Sequence, residues 1–348
     1  MQYNRLGQSG LVVSRLCFGT MTFTHTPGEG RMPAVAKVRQ KEADDIVAAC
    51  LDNGVNFFNS ADVYANGEGE EMLGAALGKR RQEAVIGTKV GGRTGGAALL
   101  GAGLSRRHMV MAVEESLRRL KTDWIDLYLF HKADPYTPIE ETLDAMETLI
   151  RDGKIRYAGV SNWQPWKMAK AIQYQKDRDY SRFIAAEYYY SLLGREIEND
   201  LIPAALDADV GLLAWGPLAS GYLSGKYTSD DPTGGGGRRA SFAFPPFDPA
   251  KGDEVVAALR EIGAPTGASC AQVALAWLLA KPVVGSVIMS GTSVSQVLDN
   301  IGAADVKLSA EDVARLNALT PPSRPLLDVV IENGGDHVMK ATLYPKQA

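Results

Sequence analysis

The sequence predicts an α/β fold, a closed (β/α)8 barrel of the TIM type, from three observations along its 348 residues. Eight short apolar runs alternate with longer amphipathic stretches, and such alternation implies parallel strands joined by right-handed helical crossovers. The first run ends in Gly19-Thr20-Met21, without the G-x-G-x-x-G turn that an open dinucleotide-binding sheet carries there. Uncommon polar residues fall at or just past the ends of these runs, where a barrel gathers its functional loops on one face.

The chain opens on a short β-hairpin, Tyr3–Leu6 and Leu11–Val13, turned by Gly7, Gln8, Ser9 and Gly10. The eight strands are read as Leu16–Gly19, Asn56–Asn59, Ala84–Thr88, Ile125–Phe130, Tyr157–Val160, Phe183–Glu187, Gly211–Ala214 and Ser286–Met289. Between them, Lys41–Asn53 sets Ala43, Ile46, Val47, Cys50 and Leu51 at helical spacing and stops at Gly54. A second helix, Arg106–Leu120, enters through Ser105 as N-cap. A third, Ile139–Arg151, follows Pro138 and stops at Gly153. Three long loops interrupt the alternation: Thr24–Arg39, Val90–Leu104 and the glycine-rich Thr228–Gly252. In a barrel these are candidate lid or specificity segments. One domain is expected over residues 1–348, with a core at about 15–320 and a tail, 321–348, that has no period.

A net charge of −4 gives no electrostatic reason to expect nucleic acid or an anionic membrane as partner. No run reaches the roughly 18 apolar residues of a membrane helix, and Met1–Ser14 lacks the apolar core of a signal peptide. A cytoplasmic protein acting on a small molecule is the expectation, with homo-oligomerisation left open. Cys17, Cys50 and Cys270 match neither a metal spacing nor a disulfide framework, and all three read as buried thiols in a reducing compartment.

Asn59 and Tyr64 follow the second strand, Lys89 the third and His131 the fourth. Ser161 and Asn162 follow the fifth, Glu187 ends the sixth, and Trp215 follows the seventh. Each alone has an ordinary structural role, but together on one barrel face they suit carbonyl reduction. A carbonyl that accepts hydride becomes an alkoxide, which needs a proton donor and charge stabilisation. The Tyr64 hydroxyl can donate if a neighbouring ammonium, Lys89, favours its phenolate. His131 can hydrogen-bond the substrate oxygen, and no metal is required.

The sequence resembles the aldo-keto reductase family from near its N-terminus to about Leu319. The matching segments begin with Cys17-Phe18-Gly19-Thr20-Met21, Ala61-Asp62-Val63-Tyr64 with Gly67 and Glu70-Glu71-Met72-Leu73-Gly74, and Gly87-Thr88-Lys89. They continue with Asp126-Leu127-Tyr128-Leu129-Phe130-His131 and Gly159-Val160-Ser161-Asn162-Trp163. Tyr190-Ser191-Leu192-Leu193, Trp215-Gly216-Pro217-Leu218 and Ser224-Gly225-Lys226-Tyr227 complete the set. The resemblance implies an extended NADP(H) or NAD(H) without a Rossmann domain, and an aldehyde or ketone interconverted with its alcohol. It implies Tyr64 as proton donor, Lys89 as its pKa modulator, His131 as substrate orienter and Asn59 at the fourth position of the catalytic tetrad. Cofactor contacts are implied at Gly19, Thr20, Met21, Asn59, Ser161, Asn162, Glu187 and Trp215, with Ser161 and Asn162 on the carboxamide and Trp215 stacked on the nicotinamide. Further contacts fall at Gly216, Pro217, Leu218, Ser220, Gly221, Lys226 and Arg239, then at Gly291, Thr292, Ser293, Gln296 and Asn300.

Three departures stand out. Asn59 occupies the position of the family's Asp, so it can accept a hydrogen bond from Lys89 but supplies no charge. Asp62 is no substitute, since it holds a variable position of the motif. Lys89 is therefore expected to titrate lower than usual, depriving Tyr64 of cationic help at high pH. Glu187 stands where the family places a Gln. Its carboxyl either stays neutral or pairs with Lys89, and the latter would restore the missing charge. Ser290, Ser293 and Gln296 carry no cation for a 2′-phosphate, whereas Lys226 and Arg238 or Arg239 lie in a loop where related proteins contact the phosphates. NADP(H) is favoured on that balance, with NAD(H) open.

For the substrate, Met21, Phe23, Trp163 and Trp215 are candidates for an apolar wall, and Arg93, Lys132 and His131 for a polar or anionic group. The alternative is a cofactor-binding regulatory protein, like the barrel-shaped subunits that resemble this family and associate with potassium channels. Asn59 and Glu187 keep that alternative open, while Tyr64, Lys89 and His131 together favour the oxidoreductase.

Overall fold

A computed structural model describes residues 1–29, 33–95, 99–234, 238–240, 244–328 and 330. Most of the 321–348 tail and parts of the three long loops lie outside the described residues. A hairpin, β1 (Tyr3–Arg5) and β2 (Val12–Ser14), precedes eight parallel strands. These are β3 (Leu16–Gly19), β4 (Phe57–Asn59), β5 (Val85–Val90), β6 (Ile125–Phe130), β7 (Ile155–Ser161), β8 (Ala185–Tyr189), β9 (Gly211–Trp215) and β10 (Val284–Met289). They close in chain order, with β10 pairing β3, so no edge remains.

The helices outside the barrel are α1 (Gln40–Asp52), α2 (Glu68–Leu77), α3 (Arg106–Leu120), α4 (Ile139–Arg151) and α5 (Pro165–Asp177). They continue with α6 (Leu201–Asp207), α7 (Pro249–Gly263), α8 (Cys270–Leu279), α9 (Val294–Ile301) and α10 (Ala310–Leu319). Ser105 does cap α3, its hydroxyl accepting from the His108 N–H. Among the described residues no single helix is long and apolar enough to cross a membrane.

Alternation along the strands sorts the side chains. Phe18, Phe58, Ile86, Tyr128, Phe130, Val160, Ala186 and Leu212 pack outward against the helices. Cys17, Phe57, Leu127, Leu129, Ala185 and Leu213 fill the interior, joined by Leu6 and Val13 of the hairpin. The hairpin lies at the N-terminal ends of the strands, where Gln8 N donates to Asp209 O at 3.1 Å. Gly7, at φ +53°, lies so close to Ile184 O and Asp209 O that a Cβ would sit 2.6 and 2.8 Å from them. With that end stoppered, the C-terminal end is left for a site.

The same two-residue period carries the inward rows upward: Cys17 to Gly19, Phe57 to Asn59, Ala185 to Glu187, Leu213 to Trp215. Register holds these ends level, with Gly19 opposite Asn59 and Ser161 opposite Glu187. Several strands run past their predicted ends. Lys89 lies inside β5 rather than after it, Glu187 in the middle of β8, and Ser161 and Trp215 are last residues of their strands. Pairing with a neighbour, which local composition does not report, extends them.

Candidate active site

Lys89 is fully buried, an expensive position for an ammonium unless acceptors surround it. Its Nζ donates to Asn59 Oδ1 at 2.6 Å, Ser60 O at 2.9 Å and Tyr64 Oη at 3.2 Å. Glu187 Oε1 lies 3.2 Å away as an ion pair. The other Glu187 oxygen, Oε2, accepts from Asn59 Nδ2 at 2.7 Å. Burial, the largest single influence, pushes Lys89 down, but the Glu187 carboxylate and Tyr64 outweigh it and hold the ammonium above the ordinary lysine value. Of the two alternatives for Glu187, the structure shows the pairing with Lys89: the charge absent at Asn59 arrives from β8.

Tyr64 reaches this cluster from a strained turn. Ala65 and Asn66, just after it, have φ of 44° and 57°, and Gly67 follows at 100°. Non-glycine residues in this region cost energy and persist where the surroundings fix them. Here Asn66 Oδ1 accepts from Gly95 N at 2.8 Å. Gly67 has a second reason to lack a side chain, since a Cβ would lie 2.7 Å from Arg119 Cδ. Arg119 crosses it to pair with the buried Glu70 at 2.7 Å, and Glu70 also accepts from Thr88 Oγ1 at 2.5 Å. The buried α2–β5–α3 tie thus lies directly behind the tyrosine. Burial raises the Tyr64 phenol while Lys89 opposes the rise.

The His131 ring meets Tyr64 edge-on with centroids 6.0 Å apart. Burial first, then the charges of Lys89 and Lys132, bring its pKa down to about 3, so the imidazole is neutral at pH 7. Asn162, in the left-handed region at φ 54°, binds three strand ends together. Its Nδ2 donates to His131 O at 3.1 Å and Ser161 Oγ at 2.8 Å, and its Oδ1 accepts from Trp215 Nε1 at 3.1 Å. Ser161 Oγ in turn donates to Glu187 O at 2.9 Å. Both Asn162 N–H groups and the Ser161 proton are therefore committed. The pair retains capacity to accept from a ligand amide, not to donate to one, which narrows the role the sequence implied.

Around this centre, Thr20 Oγ1 donates to Ser60 Oγ at 2.8 Å beside Gly19 and Met21. After β9 the backbone is left-handed at Gly216, Ala219, Ser220 and Gly221. The turn formed by Gly216, Pro217 and Leu218 is fixed by Gly221 N bonding Leu218 O at 2.8 Å. Ser220 Oγ is bonded to Phe244 O. Lys226 is exposed, whereas Arg239 is 9% exposed, with Nε and Nη1 lacking hydrogen-bond partners among the described residues. The Arg239 guanidinium stands 4.4 Å from the Phe247 ring, and its charge is felt at Tyr189 beneath Trp215. A buried cation with open donors suits a phosphate or carboxylate. At the end of β10, Gly291 and Thr292 lead to Ser293, which caps α9. Gln296 Oε1 accepts from Thr292 N at 3.0 Å, and Asn300 Nδ2 donates to Ser290 O at 3.1 Å. Both side chains shape that loop.

Other expectations need correction. Phe23 and Trp163 are core residues, packed on Phe18 and Phe130 at 5.7 and 5.3 Å, so neither lines an open wall. Cys270 is only half-buried, unlike Cys17 and Cys50. Two aromatics were missed. Tyr189 packs on Trp215 at 5.2 Å and was readable as the next inward residue after Glu187. Phe244 stacks on Trp215 at 6.3 Å from a loop with no periodic signal.

The model of the Aldo/keto reductase family matches residues 15–321. The chain is 37% identical to a "Probable voltage-gated potassium channel subunit beta" of Arabidopsis thaliana over 318 residues, 88% of this chain and 92% of that protein. It is 35% identical to the "Uncharacterized oxidoreductase YrpG" of Bacillus subtilis (strain 168) over 335 residues, 92% and 96% of the two chains. It is 30% identical to "Versiconal hemiacetal acetate reductase" of Aspergillus parasiticus over 339 residues, 91% and 96% of the two. With Asn59, Tyr64, Lys89 and Glu187 gathered at one end of a closed eight-stranded barrel and a family match across the whole barrel, the chain belongs to the aldo/keto reductase family of NAD(P)-dependent oxidoreductases.

Proposed function

We propose that this chain interconverts an aldehyde or ketone with its alcohol, using Tyr64 to give or take the proton. The observation that carries the reading is the buried Lys89 ammonium 3.2 Å from the Tyr64 hydroxyl at the C-terminal end of the barrel, with the neutral His131 ring beside it. A bound nicotinamide dinucleotide supplies or accepts the hydride. Trp215, Asn162, Ser161 and the turn at 216–221 would hold its nicotinamide end, and the Arg239 donors that have no partner among the described residues fit its phosphates. The 291–300 loop, through Ser293 and Gln296, would take the adenosine end.

As oxygen charge grows on the substrate, Tyr64 donates its proton and Lys89 stabilises the resulting phenolate. The neutral His131 donates a hydrogen bond to the same oxygen, orienting the carbonyl without competing as an acid. Arg239 and Lys226 support NADP(H) over NAD(H), against an adenosine loop without a cation at 290–300. We infer one barrel domain in a cytoplasmic enzyme.

The test is spectrophotometric. Purified protein, NADPH or NADH, and a panel of aldehydes and ketones are followed at the reduced-nicotinamide absorbance, with Tyr64→Phe as control. Turnover that falls by about 10²-fold or more in the control supports the reading. The second reading, a cofactor-binding subunit of an assembly, is favoured by the channel-subunit name of the Arabidopsis thaliana relative. Tight cofactor binding without turnover in either direction would select it.

A further inference from the structure

Resting on Tyr64 as the proton-transfer residue, we propose that Glu187 is its positioning residue, in that positions 59 and 187 together carry one negative charge that either can bear. The charge sits at 187 in this chain, and Asn59 is the neutral bridge between carboxylate and ammonium.

The geometry leaves little freedom. Four oxygens face the Lys89 nitrogen: Asn59 Oδ1, Ser60 O, Tyr64 Oη and Glu187 Oε1. Asn59 Oδ1, Ser60 O and the Glu187 carboxylate can only accept and match the three N–H groups of an ammonium, whereas a neutral amine offers two and would leave one of them unserved. The site is therefore built for the charged form. The Asn59 amide is oriented by its two neighbours, its oxygen toward the cation and its NH₂ toward Glu187 Oε2 at 2.7 Å. Flipping it would set NH₂ against ammonium and C=O against carboxylate. Two carboxylates at that 2.7 Å contact would repel, and two amides would leave the buried ammonium unbalanced. One acid and one amide is the combination that balances.

The titratable groups facing Lys89 from each packed element are Cys17 on β3, Asp62 and Tyr64 beyond β4, His131 beyond β6 and Glu187 on β8. Cys17 is a fully buried thiol, and among the described residues neither Asp62 oxygen has a side-chain hydrogen-bond partner. Neither bonds the lysine, and among the described residues Glu187 alone brings a carboxylate to it.

Four full-length proteins test this: wild type, Glu187→Gln, Asn59→Asp, and the exchange variant Asn59→Asp/Glu187→Gln. Each is also made with Tyr64→Phe. Lys89 is read directly in cofactor-free protein by ¹⁵N NMR of selectively labelled lysine, with Lys89→Met assigning the signal, and kcat/KM is profiled against pH. Glu187→Gln is expected to lower the Lys89 titration by about one unit or more, to bring the fall in activity to lower pH, and to cut the rate at least about tenfold. The exchange variant is expected to recover both to near wild type. Asn59→Asp alone should leave Lys89 charged while one of the two carboxyls takes up a proton.

An unmoved Lys89 titration in Glu187→Gln, or an exchange variant no better than Glu187→Gln, overturns the proposal. If Glu187→Gln does not fold, recovery of folding and of the Lys89 signal by the exchange variant supports it, and failure of both refutes it. Full activity in Tyr64→Phe would instead defeat the proton-transfer reading. The lysine titration would then still report whether 59 and 187 share a charge.

Discussion

Asp62 lies three residues beyond Asn59 and 1% exposed, and both its carboxylate oxygens lack hydrogen-bond partners among the described residues. Burial first, then the Glu70 charge, hold its carboxyl well above the usual carboxylate range. Folded protein thus keeps the Asp62 proton to higher pH than unfolded protein, whose carboxyl has a pKa near 3.9. Where the native state binds more protons, stability falls as pH rises. One group contributes at most about 3 kcal/mol between pH 5 and 7, reached only when the folded carboxyl stays protonated throughout that interval. Asp62→Asn keeps the shape and deletes the proton, so its stability relative to wild type should improve by up to that amount over the interval. At roughly 2.1 cal/mol/K per residue, 348 residues give an unfolding entropy near 0.7 kcal/mol/K, and the gain is at most about 4 °C in Tm. Calorimetry of both proteins at pH 5, 6 and 7, with turnover at pH 7, reads it. A Tm lowered equally at every pH, together with lost turnover, would mean an ionised, partnered Asp62, and Lys89 would then be balanced from there.

Three further outcomes are expected. Because His131 is neutral with a pKa of about 3, kcat/KM should show no acidic limb from this group between pH 5 and 7. Its folded pKa is depressed, so its contribution to stability is complete above the unfolded value near 6.5 and is lost as pH falls toward 3. A limb that disappears in His131→Gln would contradict this. Arg239→Met keeps the packing on Phe247 but removes the open donors, and should weaken cofactor binding about 10–100-fold in a fluorescence titration without lowering the cofactor-free Tm. Unchanged affinity would remove Arg239 from the site. Glu70→Gln leaves the Arg119 guanidinium, whose side chain is 13% exposed, with only the more exposed Glu115 carboxylate, 3.8 Å away, as its anion, and should cost about 1–3 kcal/mol of stability. A wild-type melting curve would show that the tie behind Tyr64 bears no strain.

By itself the sequence determined the elements and their class. Alternating apolar and amphipathic runs are local properties, and so are caps such as Ser105 before α3 and the paired runs of the hairpin. Because side chains alternate along a strand, residue spacing also foretold that Asn59, Lys89, Glu187 and Trp215 would share one end of the barrel. Spacing could not decide which atoms meet. Whether Glu187 stays apart or pairs with Lys89 depends on the separation of β8 and β5 across the closed barrel, which no local pattern encodes. The same holds for Phe23 and Trp163, whose apolar rings suit an open wall or the core equally until neighbours are in place. Arg239 is the converse case: the family resemblance set it in a phosphate-contacting loop, but only packing against Tyr222 and Phe247 buries it, with Nε and Nη1 unmet among the described residues. Tertiary structure decided these points because Coulomb energy and desolvation depend on distance through space, not on separation along the chain.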